Sequence, residues 1–216
     1  MQGETASFEF QKLGWRILRD PPGEPLFNMD RDESIAWEIG RGAPPTLRIY
    51  GWSRRALSFP RRGLEEITLP TNSLIPVVRR PTGGGIVEHH PQELTYSVAV
   101  PRGFLPEGTR WNGWAVRIHS ELKGYLEERF PGLRGRLSLS RGGRRGPVRH
   151  CFSDPVEGDL LFKERKVAGS ALRVWKNAAL LQGSLQGFPV PAEALAEALL
   201  AAVARSLAWT SLKSKV

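Results

Sequence analysis

The stretch "RRPTGGGIVEH", Arg79 to His89, decides the fold, because three consecutive glycines separate two segments that have the composition of strands. The segments "LIPVVRR" and "GIVEHH" on either side are rich in β-branched residues. A glycine inside a strand costs roughly 0.5 to 1 kcal/mol relative to alanine, so three together require a turn or a ligand against bare backbone. The pattern predicts strand, glycine turn, strand, with amides that can face a carbonyl or phosphate oxygen.

Neither common phosphate-binding motif explains these glycines. No GxGxxG or GK[ST] pattern follows them, and no helix is expected to begin there. Arg79 and Arg80 stand directly before the glycines, which favours an anionic or polarised acyl guest. A tight hairpin without a ligand is the alternative interpretation.

Further strands and helices are expected on both sides. "PPTLRIYGW" and "RALSFP" are expected to pair with each other, and "ELTYSVAV" follows the glycines. Later strands are expected in "GRLSLS" and over Asp159 to Phe162, Lys166 to Trp175 and Ala178 to Leu185. Helices are expected in "FNMDRDESIAWEIGRG", with Asn28 as N-cap and acidic residues in the first turn, over Trp111 to Phe130, and in "PAEALAEALLAAVARSLAW". Strands interrupted by a few helices predict an α+β fold with a mixed, largely antiparallel sheet flanked by helices.

Length, charge and cysteine content narrow the class of protein. The 216 residues are expected to form one domain, residues 1–216, and no run approaches the roughly 18 apolar residues of a membrane span. The lone Cys151 excludes an internal disulfide and fits a reducing cytoplasm, as does the lack of a secretory signal. The net charge of +9 predicts an anionic partner such as nucleic acid, acidic lipid or acidic protein.

Cys151 and Lys166 are the candidate reactive residues. Cys151 follows Arg149 and His150, and nearby cations favour the reactive thiolate, although a free cysteine is also a common small core residue. Its general base is expected to be Lys166 or His89, because His150 points away from Cys151 in extended chain. Lys166 precedes three small residues that leave room for a ligand beside the ammonium, namely Gly169, Ser170 and Ala171. A lysine at a sheet edge with its amine in water is the alternative.

Six motifs occur in an order that resembles the lipoate-protein ligase and octanoyltransferase family, which is related in fold to biotin-protein ligases. They are "NMDRDESI", "RRPTGGGIVEH", "ELTYSV", "CFSDP", "RKVAGSALR" and "LLQGSL", and they span Phe27 to Leu185. The resemblance implies a biotin/lipoate-ligase-like catalytic domain that holds an eight-carbon acyl chain and forms an amide on a carrier lysine. Leu172 stands where the family usually has glutamine, and Gln182 where histidine is frequent.

The resemblance also implies which residues bind substrate. The first glycine motif carries over to Arg80, Thr82, Gly83, Gly84, Gly85 and His89, which in the family line the acyl and acyl-adenylate site. The KxxGSA motif carries over to Lys166, Gly169, Ser170 and Ala171, with the lysine at the acyl carbonyl or phosphate end. Cys151 resembles the nucleophile of the family's transferases.

Two enzyme chemistries and one binding role remain open from sequence. A transferase takes octanoyl from acyl carrier protein through a Cys151 thioester and needs no cofactor or metal, whereas a ligase activates free lipoate with ATP and Mg²⁺. The family's ligases usually have an accessory C-terminal domain, which is not expected here. Either enzyme has lipoyl carrier domains as partners, such as the glycine cleavage H protein or 2-oxoacid dehydrogenase subunits. The third hypothesis is a nucleic-acid-binding module that uses "RGGRRGPVR". The sequence argues against it, because the basic residues are not interleaved with aromatic residues that could stack on bases.

Overall fold

The strands and helices form a two-sheet α+β structure. The computed structural model describes residues 10, 14–61, 74–105, 113–142 and 151–213, with side chains as far as residue 206. The strands are β1 (Arg16–Arg19), β2 (Thr46–Tyr50), β3 (Ala56–Phe59), β4 (Val77–Arg79), β5 (Val87–His89), β6 (Leu94–Pro101), β7 (Leu137–Leu139), β8 (Leu160–Phe162), β9 (Arg165–Val174) and β10 (Ala178–Leu185). The α-helices are α1 (Pro25–Gly40), α2 (Gly113–Arg129) and α3 (Ala192–Lys213).

The sheets are mixed and largely antiparallel, which confirms the expected fold class. Seven strands form the larger sheet in the order β1-β2-β6-β10-β9-β8-β7, and the smaller sheet has the order β4-β3-β5. Only the β1/β2 and β3/β4 pairs are parallel among the described strand pairs. Within the described ranges, no helix combines the length and hydropathy that a bilayer crossing requires.

The helices cover both faces of the larger sheet. Val98 and Val100 of β6 belong to the apolar cluster formed with α2 and α3, whereas Ala99 belongs to the cluster formed with Ile35 and Ile39 of α1. This division follows from the alternation of side chains along a strand, which sends successive residues to opposite faces. The two faces of the larger sheet therefore pack against different helices, one against α1 and the other against α2 and α3.

A row of buried polar residues crosses the α1 face of the larger sheet. Arg48, Ser97 and Gln182 stand opposite one another on β2, β6 and β10. Each donates a hydrogen bond to the Asp32 carboxylate of α1, over 2.8 Å, 2.7 Å and 2.7 Å respectively, and the Tyr50 hydroxyl donates a fourth over 2.8 Å. Asp32 is fully buried, so these four donors replace water around its carboxylate. They fix α1 over the sheet.

Two expectations about the first helix and the strands after it were wrong. Asn28 is not the N-cap, because α1 begins at Pro25 with no acidic residue in its first turn. The buried side chain of Asn28 instead accepts a hydrogen bond from Arg48 over 3.0 Å and donates one to the Gly51 carbonyl over 3.0 Å. The segments of β2 and β3 do not pair, since they belong to different sheets. All five residues of β2 are buried. Its polar residue Arg48 faces the polar row under α1 and not solvent.

Replacing Asp32 tests the polar row. In Asp32→Asn, the amide brings an N–H₂ group among four donors and leaves the buried Arg48 without its closest buried carboxylate. We expect a loss of about 3 kcal/mol in the free energy of unfolding, measured with urea at pH 7. Asp30→Asn on the exposed side of α1 is the matched control, with an expected change within roughly 0.5 kcal/mol. Equal unfolding free energies for the two variants would contradict this role of Asp32.

Candidate active site

The glycine connection, residues 82–86, joins two strands that do not pair with each other. β4 lies on one side of β3 and β5 on the other, so the connection crosses from one edge of the smaller sheet to the opposite edge. A tight hairpin is therefore the wrong interpretation of the three glycines, and so is a simple turn between paired strands. The crossing leaves the backbone of Gly83 and Gly84 exposed.

The guanidinium of Arg80 holds this connection from inside. Its Nε and Nη2 donate to the Gly83 carbonyl over 3.1 Å and 2.6 Å, and Nη2 also donates to the Gly85 carbonyl over 2.5 Å. Nη1 donates to the Ser58 carbonyl and hydroxyl over 2.9 Å and 3.1 Å. These contacts engage all five N–H groups that a guanidinium carries. Arg80 thus orders the glycine connection rather than presenting free donors to a ligand.

Cys151 lies against the same connection. Its backbone N–H donates to the Ile86 carbonyl over 2.7 Å, and its Sγ accepts from the backbone N–H of Gly85 over 3.0 Å. Cys151 is half-buried, so it is not enclosed in the core as many free cysteines are. Arg149 and His150, the expected cationic neighbours of the thiol, lie outside the described residues.

Gly84 is the point where the connection, Cys151 and β9 meet. A Cβ on Gly84 would stand 3.1 Å from Arg80 Nη2, 3.6 Å from Cys151 Sγ and 3.9 Å from the Ala171 Cβ. Its φ of +96° is also in the region that L-residues rarely adopt. Only a glycine combines this backbone conformation with an uncovered surface beside the sulfur.

A buried cation with no described carboxylate partner stands beside the sulfur. Burial lowers the pKa of Arg80 to about 10, and the nearby Cys151 opposes that shift. Arg80 therefore remains a cation at neutral pH. A positive charge in a poorly hydrated environment stabilises negative charge on a neighbouring atom more strongly than it does in water.

Thr82 and His89 of the glycine motif are buried in contacts within the protein. The Thr82 hydroxyl donates to Gln182 Oε1 over 2.7 Å, which ties the connection to the polar row under α1. His89 lies between Ser58, 2.7 Å from its Nε2, and Glu93, 2.6 Å from its Nδ1. Both ring nitrogens are thus engaged, and the expectation that His89 is the base for Cys151 has no support in these contacts.

Lys166 is buried and paired with a carboxylate. Its Nζ lies 2.7 Å from Asp159 Oδ2, both side chains are 4% exposed, and the ring centroid of Phe152 is 5.2 Å from Nζ. Since β9 lies between β8 and β10, the alternative of an edge lysine with its amine in water is wrong. Phe152 follows Cys151 directly, so Lys166 contacts the residue next to the cysteine in the chain.

The three small residues after Lys166 differ in their surroundings. A Cβ on Gly169 would collide with Cε of Lys166, so the lysine itself fills the room that was expected for a ligand. The Ser170 hydroxyl lies 3.4 Å from His119 Nε2, on the side of α2. Ala171 alone of the three is placed against the glycine connection.

Sequence reasoning missed three residues that hold the site. Asp159 pairs with Lys166, while Ser58 and Glu93 surround His89. A fourth residue, Gln182, was noticed in the sequence because it departs from the family's usual residue. In the structure its side chain accepts a hydrogen bond from Thr82. No group of three or more His, Cys, Asp and Glu side chains in the described part of the chain could hold a metal ion.

Alanine substitutions at Gly84 and Gly83 test whether the backbone conformation and close surroundings of Gly84 require a glycine. Gly84→Ala forces an L-residue to φ +96° and crowds Arg80 Nη2, so we expect roughly 1 to 2 kcal/mol lower stability and slower alkylation of Cys151. Gly83→Ala is the matched control, because no atom lies within 4 Å of its added Cβ. Urea unfolding and the rate of iodoacetamide addition, read by intact mass, measure both effects. Identical behaviour of the two variants would contradict the assigned role of Gly84.

Known proteins match both the sequence and the fold. Residues 24–199 match the family model described as the lipoyl protein ligase A/B catalytic domain. Octanoyltransferase LipM of Symbiobacterium thermophilum is 36% identical over 187 residues, which cover 81% of this chain and 65% of that protein. The protein of the same name from Bacillus subtilis is 35% identical over 191 residues, covering 81% and 66%. This chain therefore spans just under two thirds of the length of these relatives.

Solved structures of lipoate-protein ligases share the fold. A lipoate-protein ligase A bound with ATP superposes with a TM-score of 0.67 at 21% identity, covering 90% of this chain and 85% of that one. A bipartite lipoate protein ligase from Thermoplasma acidophilum, described together with its E2 lipoyl domain, has a TM-score of 0.61 at 20% identity, covering 89% and 83%. Together with the family match over most of its length, these likenesses establish that the chain belongs to the lipoyl protein ligase A/B catalytic domain family.

Proposed function

We propose that this protein is an octanoyltransferase that moves an octanoyl group from acyl carrier protein to a lysine of a lipoyl carrier domain, with Cys151 as the acyl carrier. The contact between Cys151 Sγ and the Gly85 amide carries the proposal, because it places the chain's sole thiol on the bare glycine connection. The relatives named octanoyltransferase support the same acyl group. Octanoyl rather than lipoyl transfer is the activity proposed.

The proposed reaction consists of two acyl transfers. The Cys151 thiolate attacks the thioester carbonyl of the donor, a new C–S bond forms, and the tetrahedral intermediate expels the donor thiolate. The lysine amine of the lipoyl domain then attacks the Cys151 thioester, forms the amide and releases Cys151, while the amine proton passes to a thiolate. The first step exchanges one thioester for another of similar energy, so the sequence needs no nucleotide.

Lys166 is proposed to stabilise the oxyanion of each tetrahedral intermediate. An ammonium has three N–H donors, and Asp159 Oδ2, 2.7 Å from Lys166 Nζ, accepts from one of them. The ion pair holds the amine beside Phe152, the residue that follows the proposed nucleophile. Preorganised donors of this kind contribute most when they move little during the reaction.

The charged groups of the site fit a nucleotide less well. A ligase needs cationic donors for the phosphates of ATP and of an acyl-adenylate. Arg80 already engages its five N–H groups with backbone and Ser58 oxygens, and Lys166 is matched by Asp159. ATP and Mg²⁺ would require these contacts to rearrange, so they are left out of the proposed mechanism.

The partners proposed are acidic carrier proteins in the cytoplasm. The net charge of +9 favours association with an acidic surface and accelerates encounter at low ionic strength. One protein of similar fold is described with its E2 lipoyl domain, which supports a lipoyl domain as acceptor. A lone thiol that must stay reduced fits the cytoplasm. Most of the basic run considered for nucleic acid, namely residues 143–149, lies outside the described residues.

Cys151→Ser tests the proposed nucleophile. A hydroxyl is a far weaker nucleophile than a thiolate at neutral pH, so we expect at least a roughly 100-fold loss of octanoyl transfer. The assay incubates a lipoyl domain with octanoyl-acyl carrier protein, or with lipoate and ATP, and reads the added mass. Full activity of Cys151→Ser combined with a strict need for ATP would establish the ligase instead.

Asp159→Asn tests how Lys166 is held. The variant keeps the shape of the side chain but leaves the buried lysine without its counter-charge, so Lys166 no longer has one fixed position. We expect about a tenfold or greater loss of kcat for octanoyl transfer, in the range known for a lost oxyanion donor. Glu157→Gln, which changes an exposed carboxylate on the same segment, is the control and should retain kcat. Equal kcat values for the two variants would remove Asp159 from the proposed site.

A further inference from the structure

A chain of hydrogen bonds leads from a buried carboxylate to Arg80. Arg80 Nη1 donates to the Ser58 hydroxyl, which leaves the Ser58 proton for His89 Nε2 at 2.7 Å. Nε2 must then be an acceptor, so His89 carries its proton on Nδ1 and donates to Glu93 Oε1 at 2.6 Å. The hydrogen bonds of this chain therefore all run in one direction, with Arg80 donating to Ser58, Ser58 to His89 and His89 to Glu93.

The far end of this chain is firmly anchored. Glu93 is 6% exposed, and its two oxygens accept from four further groups beside His89. These are the Thr95 and Ser184 hydroxyls, the Gln186 amide and the His90 backbone N–H. Burial raises the pKa of Glu93, but these hydrogen bonds and His89 outweigh burial and hold that pKa below its usual value. Glu93 therefore stays a carboxylate that only accepts.

The imidazole of His89 has one position and one charge state. The Trp52 ring stacks on it at 3.7 Å with an interplanar angle of 15°, and Trp52 Nε1 donates to Thr95. Burial lowers the pKa of His89, against the opposing effect of the Glu93 carboxylate. A neutral imidazole is what the Ser58 contact needs, since a second N–H would compete with Arg80 for the hydroxyl oxygen.

The order of contacts resembles a serine, histidine and carboxylate triad, yet its geometry excludes Ser58 as a nucleophile. Ser58 is fully buried, and its oxygen already accepts from the Arg80 cation. No acyl donor could reach that oxygen, and the cation would hold its lone pair away from a carbonyl carbon. The order of the chain therefore serves whatever lies beyond Ser58.

We propose that Glu93, His89 and Ser58 are positioning residues that fix the guanidinium of Arg80 and, through the glycine carbonyls it binds, the Gly85 amide and cationic field at Cys151. The inference rests on the proposed role of Cys151 as the nucleophile. Glu93 touches neither the connection nor the sulfur in the described contacts, so its effect on the thiol must pass through the chain. Without the Ser58 hydroxyl, one N–H of the buried guanidinium loses its acceptor, and Arg80 is held by four hydrogen bonds instead of five.

Alkylation of the sole cysteine measures this effect without any acyl substrate. Because Cys151 is the only thiol, the rate of iodoacetamide addition to the folded protein reports on that sulfur alone. We expect Ser58→Ala to slow addition at pH 7 by roughly three- to tenfold, the range that one lost hydrogen bond gives. Ser58→Thr keeps the hydroxyl and should return the rate to within about twofold of the parent protein. A threonine variant as slow as the alanine variant would show that packing, not the hydroxyl, matters, and would overturn the proposal.

Glu93→Gln extends the test to the remote end, and Leu126→Ala controls for a loosened core. The Glu93→Gln substitution removes the anchoring charge and should slow alkylation as Ser58→Ala does. Leu126→Ala removes a fully buried side chain of α2 from the apolar cluster on the other face of the larger sheet, and it should lower the unfolding midpoint while leaving the alkylation rate unchanged. Folded Ser58→Ala and Glu93→Gln proteins with rates within about twofold of the parent would overturn the proposal. If alkylation slows while octanoyl transfer does not, the positioning chain stands and the proposed role of Cys151 fails.

Discussion

The hydrogen bonding of one buried guanidinium determines the shape of the site. Arg80 binds the carbonyls of Gly83 and Gly85, which belong to the peptide groups on either side of the one that carries the Gly85 N–H. With both neighbouring peptide groups held, the Gly85 N–H donates to the sulfur of Cys151. Position 84 requires glycine because its φ is +96° and an added Cβ would crowd both the guanidinium of Arg80 and the sulfur of Cys151.

Two buried polar networks hold the glycine connection at its two ends. Thr82 joins it through Gln182 to Asp32, and hence to the helix that covers the larger sheet. Arg80 joins it through Ser58 to the smaller sheet. Buried polar networks that are fully satisfied specify one arrangement, because any shift leaves a donor or acceptor without a partner. The connection is thus a rigid part of the fold although its central backbone is exposed.

The sequence predicted the fold class and supplied the candidate site residues, since both depend on local patterns. Helical spacing identified α2, and the glycine, cysteine and lysine motifs identified Gly84, Cys151 and Lys166. The four residues of β1, "RILR", were not predicted, because so short a segment has no distinctive alternation. The separation of β2 and β3 into two sheets was missed because proximity in sequence suggested a pair.

The supporting residues could not be predicted because their partners are distant in sequence. Ser58 meets His89 across 31 residues, and Thr82 meets Gln182 across 100. The same reason explains why Asn28 was wrongly predicted as a helix cap. Its side chain is of a type that suits a cap, but its hydrogen bonds to Arg48 and Gly51 outweigh that preference. Ser58 and Asp159, which hold Arg80 and Lys166, lie outside all six motifs.

The most direct measurement is to trap the acyl group on the protein in the absence of an acceptor. The protein is incubated with octanoyl-acyl carrier protein alone, analysed by intact mass and peptide mapping, and treated with neutral hydroxylamine, which cleaves thioesters. The account predicts one octanoyl group on Cys151 that hydroxylamine removes and that an added lipoyl domain accepts. Efficient transfer to the lipoyl domain with no acyl group ever found on Cys151, or with the group on another residue, would contradict it.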